Sequence, residues 1–188
     1  DGFRLAARCE DGELFVDTDG IPNFEGAGQG QLEAATRARR YRFPVEPILA
    51  NAVTPFEKEG VVGVALNGIP IMTPVDTVDR ELVDVQLAGL DTCGGQVRSD
   101  DGFYHFHRRP DCLLGTFEGQ HDLVVGVAKD GFPIMAPYVC DDAACSSTRK
   151  VRSSWQISNG AETNPFAKHA FVDGLGDLDR CNGLVAPD

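Results

Sequence analysis

The chain has 188 residues, of which 42% are hydrophobic, a size and composition that suit one domain with its own core. Its 17 Lys and Arg against 29 Asp and Glu give a net charge of -12 at pH 7, and this sign does not favour nucleic acid as a partner. No apolar run approaches the roughly 20 residues of a membrane span, and the chain starts at Asp1, so we expect that any export signal was removed or never included.

The predicted elements are mainly β. Glycine and proline, 21 and 11 residues, interrupt the chain at short intervals, and the segments between them are rich in Val, Ile, Phe and Thr. This pattern predicts an all-β, loop-rich fold with antiparallel sheets, with one short helix possible within residues 31–40 and a long ordered loop over 158–177. The predicted strands are residues 13–16, 38–43, 61–66, 82–87, 103–107, 123–128 and 151–157.

Two segments of the chain resemble each other. Residues 63–74 read GVALNGIPIMTP and residues 126–137 read GVAKDGFPIMAP, with eight of twelve positions identical. In each copy an apolar strand ends at Asn-Gly or Asp-Gly, dipeptides that accept positive φ in a tight hairpin turn. A second pair is LDTCGG at 90–95 and LDRCNG at 178–183. We therefore predict an internally duplicated hairpin unit, with pseudo-twofold character, inside a single domain.

The six cysteines predict disulfides. Their number is even, and none stands in a Cys-Cys and His pattern with structural-zinc spacing, which favours an oxidising compartment. We expect an extracellular or cell-surface location, with the periplasm as the alternative. Six cysteines allow fifteen pairings. Cys140 and Cys145 bracket a four-residue loop that could close without strain, and Cys93 and Cys112 flank the predicted strand at 103–107. Cys9 and Cys181 would then join the two ends of the chain.

Three of the four histidines lie within 17 residues. In a strand, His105 and His107 point to one face, with their α-carbons about 6.6 to 7 Å apart, a separation from which two ring nitrogens can converge on one ion. His121 supplies a third nitrogen if the strand at 123–128 pairs beside the first. The pattern predicts a copper or zinc site of His105, His107 and His121, against the alternative of a hydrated or hydrogen-bonded strand face.

Other polar residues have expected roles around this site. Asp91 and Asp122 are candidate acceptors that fix the imidazole tautomers, whereas His169 is isolated and is expected to be solvated or satisfied in the core. Calcium is possible at three acidic residues near the C-terminus, Asp173, Asp177 and Asp179.

The tetrapeptide Tyr104-His105-Phe106-His107, placed between the LDTCGG turn and the second hairpin, resembles the motif of the YHYH-domain family, with Phe106 in place of the second Tyr. Residues 20–22, 63–71 and 178–183 resemble further elements of that family. The resemblance implies a secreted or cell-surface protein, and it implies metal binding, copper in particular, at His105, His107 and His121.

The chain departs from the family pattern at two places. Gln96 stands where the family commonly has His after the CGG turn, so a fourth nitrogen is not expected there. Family members also often continue beyond the second LDxCNG turn into another aromatic and His segment, whereas this sequence stops at Asp188.

These observations leave three hypotheses. The first is a secreted β domain that binds copper or zinc through its His cluster. The second is a structural or adhesive extracellular module, with self-association or cell-surface partners and no essential metal. The third is a metal-dependent enzyme in which Asp122 or Tyr104 assists the histidines. The chain contains no GxSxG, HExxH or phosphate-cradling Gly motif, so we expect binding rather than catalysis.

Overall fold

The computed structural model describes residues 4–25, 27, 33–54, 60–75, 89–162 and 164–184. Two four-residue helices lie within these ranges, α1 (Asp111–Leu114) and α2 (Pro165–Lys168), and neither has the length or apolar run that crossing a bilayer requires. The strands within the same ranges are β1 (Leu5–Glu10), β2 (Glu13–Thr18), β3 (Arg39–Pro44), β4 (Val61–Ala65), β5 (Pro70–Met72), β6 (Gly95–Val97), β7 (Tyr104–Phe106), β8 (Val124–Ala128), β9 (Pro133–Met135), β10 (Tyr138–Cys140), β11 (Thr148–Lys150), β12 (Trp155–Ile157) and β13 (His169–Phe171).

The strands form sheets that are almost entirely antiparallel, as the sequence predicts. A three-stranded sheet has the order β1-β2-β3, and a six-stranded sheet has the order β6-β7-β5-β4-β8-β9. Two further hairpin-like pairs, β10-β11 and β12-β13, lie towards the C-terminal end. The exception is the parallel contact of β5 with β7, in which Ile71 is opposite Phe106.

Several predicted elements need correction. Residues 33–38 contain no helix, and the predicted strand at 151–157 is extended only from Trp155, because Gly176 and neighbouring backbone pack against residues 152–154. The predicted loop at 158–177 contains α2 and β13. Residues 31–32 and the predicted strand at 82–87 lie outside the described residues.

The two repeated segments form equivalent hairpins. In β4-β5, Gly63 is opposite Ile71 and a bulge follows Val61; in β8-β9, Gly126 is opposite Ile134 and a bulge follows Val124. The two hairpins also pair with each other through β4 and β8, with Val64 opposite Val127. Each residue pair before the Val64–Val127 pair has an equivalent pair after it. The two hairpins are therefore related by a local pseudo-twofold axis.

The turns of the two hairpins have the same hydrogen bonds. Gly68 N–H donates to Ala65 O at 2.8 Å, and Gly131 N–H donates to Ala128 O at 2.9 Å. Only the glycine of each Asn-Gly or Asp-Gly dipeptide has positive φ, +79° for Gly68 and +92° for Gly131. Each turn is therefore a type I turn followed by a left-handed glycine, which fits the twist of a three-residue hairpin loop.

The two LDxCxG segments also adopt one conformation. Asp91 Oδ1 accepts hydrogen bonds from the backbone N–H groups of Cys93 and Gly95, at 2.9 and 3.0 Å. In the second copy Asp179 Oδ1 accepts from the N–H groups of Cys181 and Gly183, at 2.8 and 2.7 Å. The carboxylate thus closes the same turn twice.

The cysteines only partly follow the prediction. Cys93–Cys112 and Cys140–Cys145 are disulfides, but Cys9 and Cys181 are free, exposed thiols, so the expected Cys9–Cys181 bridge is not formed. Cys9 lies on the exposed edge strand β1, and Cys181 lies in the turn closed by Asp179. That third pairing was reached by elimination, which carries no information about distance.

The core has two parts. The larger surrounds β6 and β7 and contains Ile69, Cys93, Tyr104 and Phe106, none of which is exposed. The smaller joins the two main sheets through three buried side chains, Val16, Phe43 and Val64. The larger part of the core therefore buries the six-stranded sheet at β7.

The close approach of β4 and β8 predicts that a methyl group is not tolerated at Gly126. A Cβ there would lie 2.7 Å from Val64 O, which is backbone and cannot move away cheaply. We expect Gly126→Ala to lower the free energy of unfolding by about 2 kcal/mol in urea titrations. Gly115→Ala is the matched control, because nothing lies within 4 Å of its added Cβ, and a change below about 0.5 kcal/mol is expected there. Equal effects of the two changes would contradict the close approach.

Candidate functional site

Residues 104–107, which are β7 and the residue that follows it, place two aromatic and two histidine side chains on opposite faces, as the alternation predicts. Tyr104 and Phe106 are fully buried, and the Tyr104 hydroxyl donates to Asp91 Oδ2 at 2.6 Å. Burial, and then this hydrogen bond, raise the pKa of Tyr104 far above its usual range, so the phenol keeps its proton and remains a donor. Asp91 thereby ties the LDTCGG turn to the strand that carries the histidines.

His105 and His107 lie side by side on the opposite face. Their Nε2 atoms are 2.9 Å apart, the ring planes are inclined at 77°, and both side chains are buried. The pair is thus brought together by the fold itself.

The other ring nitrogen of each histidine is occupied by a backbone carbonyl. His105 Nδ1 lies 3.1 Å from Phe103 O, and His107 Nδ1 lies 2.8 Å from Thr73 O. A carbonyl oxygen only accepts, so each Nδ1 must carry the hydrogen. In the neutral rings both Nε2 atoms are then unprotonated, and two nitrogen lone pairs face each other.

Gln96 completes the polar group. It is opposite His105 in the β6-β7 ladder, and its amide nitrogen lies 3.5 Å from His105 Nε2 and 3.3 Å from His107 Nε2. The amide can donate its two hydrogens to the two ring nitrogens, and a half-turn of the amide would present its oxygen instead. In the sequence Gln96 stands only as an absent fourth nitrogen, whereas in the structure it is the third member of the group.

The surroundings of His105 favour its neutral form. Burial first, and then the charge of His107, lower the pKa of His105 from 6.5 to about 4. Its ring stacks on Phe103 with centroids 5.5 Å apart, and the guanidinium of Arg98 lies 5.1 Å from the centre of the same phenyl ring. Arg98 is itself held by both carboxylate oxygens of Asp101.

His121 does not join this pair. It lies three residues before β8, which is separated from β7 by β5 and β4, so three strand spacings, about 14 Å, lie between the two strands. His121 instead lies beside the Cys140–Cys145 disulfide, with one ring nitrogen within 4.8 Å of both sulphur atoms. The three-histidine site expected from the sequence is therefore not assembled, because β8 pairs with β4 and not with β7.

The remaining predicted residues have other contacts. Asp122 accepts from His121 Nδ1 at 2.7 Å, and His169 Nδ1 donates to Pro165 O at 2.9 Å. Asp177 accepts from Arg152 N–H and pairs with Arg149, while Asp179 closes its own turn. Among the described residues, Asp173, Asp177 and Asp179 do not gather into a cluster that could hold calcium.

Comparison with known proteins gives one match. The family model described as YHYH protein matches residues 40–188, a range that includes both hairpins, both LDxCxG turns and the histidine pair. Strands β1 and β2 and the segment at 20–22 precede it. No curated protein and no solved structure matches the chain.

The lowered pKa of His105 predicts a loss of stability in mild acid. Between about pH 6.5 and 4 the unfolded chain binds a proton at this residue and the folded chain does not. The free energy of unfolding should therefore fall by about 1.4 kcal/mol for each pH unit as the pH decreases. Urea titrations of the metal-free protein from pH 6.5 to 4.5 measure this slope, and NMR of the imidazole resonances assigns it. His105→Gln should flatten it and His121→Gln should not; titration of His105 near 6.5 would contradict the assignment.

Proposed function

This chain belongs to the YHYH protein family, and we propose that it binds one copper(II) ion through the Nε2 atoms of His105 and His107. The observation that carries the proposal is the 2.9 Å separation of two ring nitrogens whose Nδ1 partners are both hydrogen-bonded to carbonyl oxygens. Each histidine is fixed in orientation by the arrangement found behind metal-bound imidazoles, with the outer nitrogen donating to a protein oxygen.

The separation fits two ligands on one ion. Nitrogens about 2.0 to 2.1 Å from a metal are about 2.9 Å apart when they subtend a right angle at it, and about 3.3 Å apart at the tetrahedral angle. The observed 2.9 Å therefore suits neighbouring positions of a tetragonal ion. Copper(II) prefers that geometry and also stands above zinc in affinity for nitrogen ligands, so zinc is the second choice.

Gln96 is the third protein group within reach of such an ion. With its amide turned, the oxygen would replace the nitrogen that now lies 3.3 Å from His107 Nε2. An amide oxygen is a weaker and harder ligand for copper than an imidazole nitrogen. We therefore propose that Gln96 limits the affinity of the site.

The proposed setting is extracellular. Two disulfides, one of them in the core, are stable only where thiols are oxidised, and the family membership agrees with secretion. A copper site in that setting suits uptake, storage or buffering of the ion by a rigid β scaffold.

Copper binding should depend on both histidines, and a histidine substituted at position 96 should strengthen it. In calorimetric titration of the metal-free protein with Cu²⁺, the double change His105→Gln and His107→Gln should abolish the high-affinity site. Gln96→His should raise its affinity by roughly tenfold or more, about 1.4 kcal/mol, because a third imidazole replaces the amide. Nitrogen hyperfine coupling in the electron paramagnetic resonance spectrum would then report an additional ligand.

The control is His169→Gln, which changes a histidine outside the pair and should leave Cu²⁺ affinity unaltered. Because His105 and His107 are buried, circular dichroism must show that the double variant is folded. Paramagnetic broadening of the His105 and His107 resonances in the unaltered protein tests the same site without a substitution. Unchanged resonances at saturating Cu²⁺, or unchanged affinity in the folded double variant, would reject the proposal.

A second candidate function is assembly through an exposed apolar loop. Between β3 and β4, Ile48, Leu49 and Val53 are 87%, 82% and 60% exposed, which is unusual for side chains of this size so close in sequence. The loop suits a self-associating surface module, the alternative drawn from the sequence.

If the loop mediates self-association, light scattering should show a dimer or larger species that Ile48→Ser with Leu49→Ser converts to monomer. Leu175→Ser, at a separate exposed apolar position, is the control. A monomer at all concentrations would exclude self-association through this loop.

A further inference from the structure

We propose that reduction of the Cys140–Cys145 disulfide opens a second metal site, in which both thiolates and His121 bind Zn²⁺. The three side chains are already gathered, since one ring nitrogen of His121 and the two sulphur atoms lie within 4.8 Å of one another. Two thiolates and one imidazole are a ligand set that zinc accepts, with a fourth position open. Along the chain these cysteines have no histidine partner at structural-zinc spacing, and the fold brings His121 to them.

The two cysteines stay close without the disulfide. They lie in the β10-β11 hairpin, whose ladder pairs Cys140 with Thr148, and beyond it Asp141 N–H donates to Ser147 O at 2.9 Å. Asp142 Oδ1 accepts from the N–H groups of Ala144 and Ser146, at 2.9 and 3.3 Å. This turn has the form seen at Asp91 and Asp179, so the carboxylate holds the loop closed independently of sulphur.

His121 is held against the same hairpin. Thr148, the ladder partner of Cys140, donates its hydroxyl hydrogen to Gly119 O at 2.9 Å, two residues before His121. Asp122 accepts the Nδ1 hydrogen of His121 at 2.7 Å, which leaves Nε2 with the lone pair that a metal requires. A carboxylate behind the ligating imidazole is the usual partner of a zinc-bound histidine.

The chemistry balances with a thiol reductant. Two reductant thiols supply two electrons and two protons and are oxidised to a disulfide, while the Cys140–Cys145 bond breaks to give two thiols. Each thiol releases its proton to solvent when its sulphur binds Zn²⁺. In the reverse exchange, the disulfide of the oxidised reductant accepts two electrons from the thiolates and takes up two protons from solvent to give two reductant thiols, while the Cys140–Cys145 bond re-forms and the ion is released. The redox state of one partly exposed disulfide therefore controls this site. Cys93–Cys112 is shielded by comparison, because Cys93 has no exposed surface.

The test uses the full chain with Cys9→Ser and Cys181→Ser, which removes the two thiols that are already free. A phosphine reduces the partly exposed Cys140–Cys145 disulfide; it is oxidised to its oxide and does not compete strongly for metal. Peptide mapping after alkylation verifies that Cys140 and Cys145 alone were reduced. Co²⁺ alone is the probe, because thiolate-to-cobalt charge-transfer absorption reports sulphur ligands and is silent for the His105–His107 pair. We expect this absorption at one Co²⁺ per chain after reduction, its absence before reduction, and its loss when Zn²⁺ is added.

Two variants separate the ligands from the scaffold. His121→Ala should weaken Co²⁺ binding at least tenfold after reduction, and His169→Ala, the matched control, should not. Cys140→Ser with Cys145→Ser should abolish the absorption while amide-exchange protection of Val139 and Arg149 shows that the hairpin persists. No thiolate absorption after verified reduction, an unaffected His121→Ala variant, or loss of the hairpin in the serine variant would each overturn the proposal. None of these results depends on copper binding at His105 and His107.

Discussion

The pairing of β4 with β8 is the contact on which the rest of the structure depends. It joins the two hairpins back to back, with Val64 opposite Val127, and it is possible because Gly63 and Gly126 carry no Cβ where each strand meets the other's carbonyl oxygens. Val64 also packs against Val16 and Phe43 of the three-stranded sheet. Within the six-stranded sheet, each hairpin can then be extended only on its outer side.

The two hairpins of that pair differ in the structure that lies beside them. Beside the first hairpin, β5 contacts β7, and Ile69 and Pro70, where β5 begins, are fully buried. Beside the second hairpin, β9 is the edge of the sheet and Pro133 is exposed. The local pseudo-twofold symmetry therefore ends at the hairpins, and only the first copy supports a buried strand on which two histidines are held in place.

Periodic and local features of the sequence predicted a large part of this arrangement. Alternation placed His105 and His107 on one face, the repeat predicted equivalent hairpins, and the short spacing of Cys140 and Cys145 indicated their bridge. The order of strands across the sheet could not be predicted from the sequence, because side-chain packing between distant segments decides it. That is why His121 was assigned to the wrong neighbours, and why the position of Gln96 against both histidines became visible only when β6 was seen to pair with β7.

Burying the two histidines lowers the free energy of unfolding relative to an apolar core. Two imidazoles are withdrawn from water, and burial, followed by the charge of His107, lowers the pKa of His105 to about 4, so the His105 ring is neutral near pH 7. Apolar side chains at 105 and 107 would pack the same face without that cost. The hydrogen bonds to Phe103 and Thr73 satisfy the outer nitrogens and direct both Nε2 atoms inward, where the Gln96 amide lies within reach of them. A cation held by both Nε2 atoms would replace the weak amide contacts with two strong bonds, and that is the physical argument for the copper site proposed above.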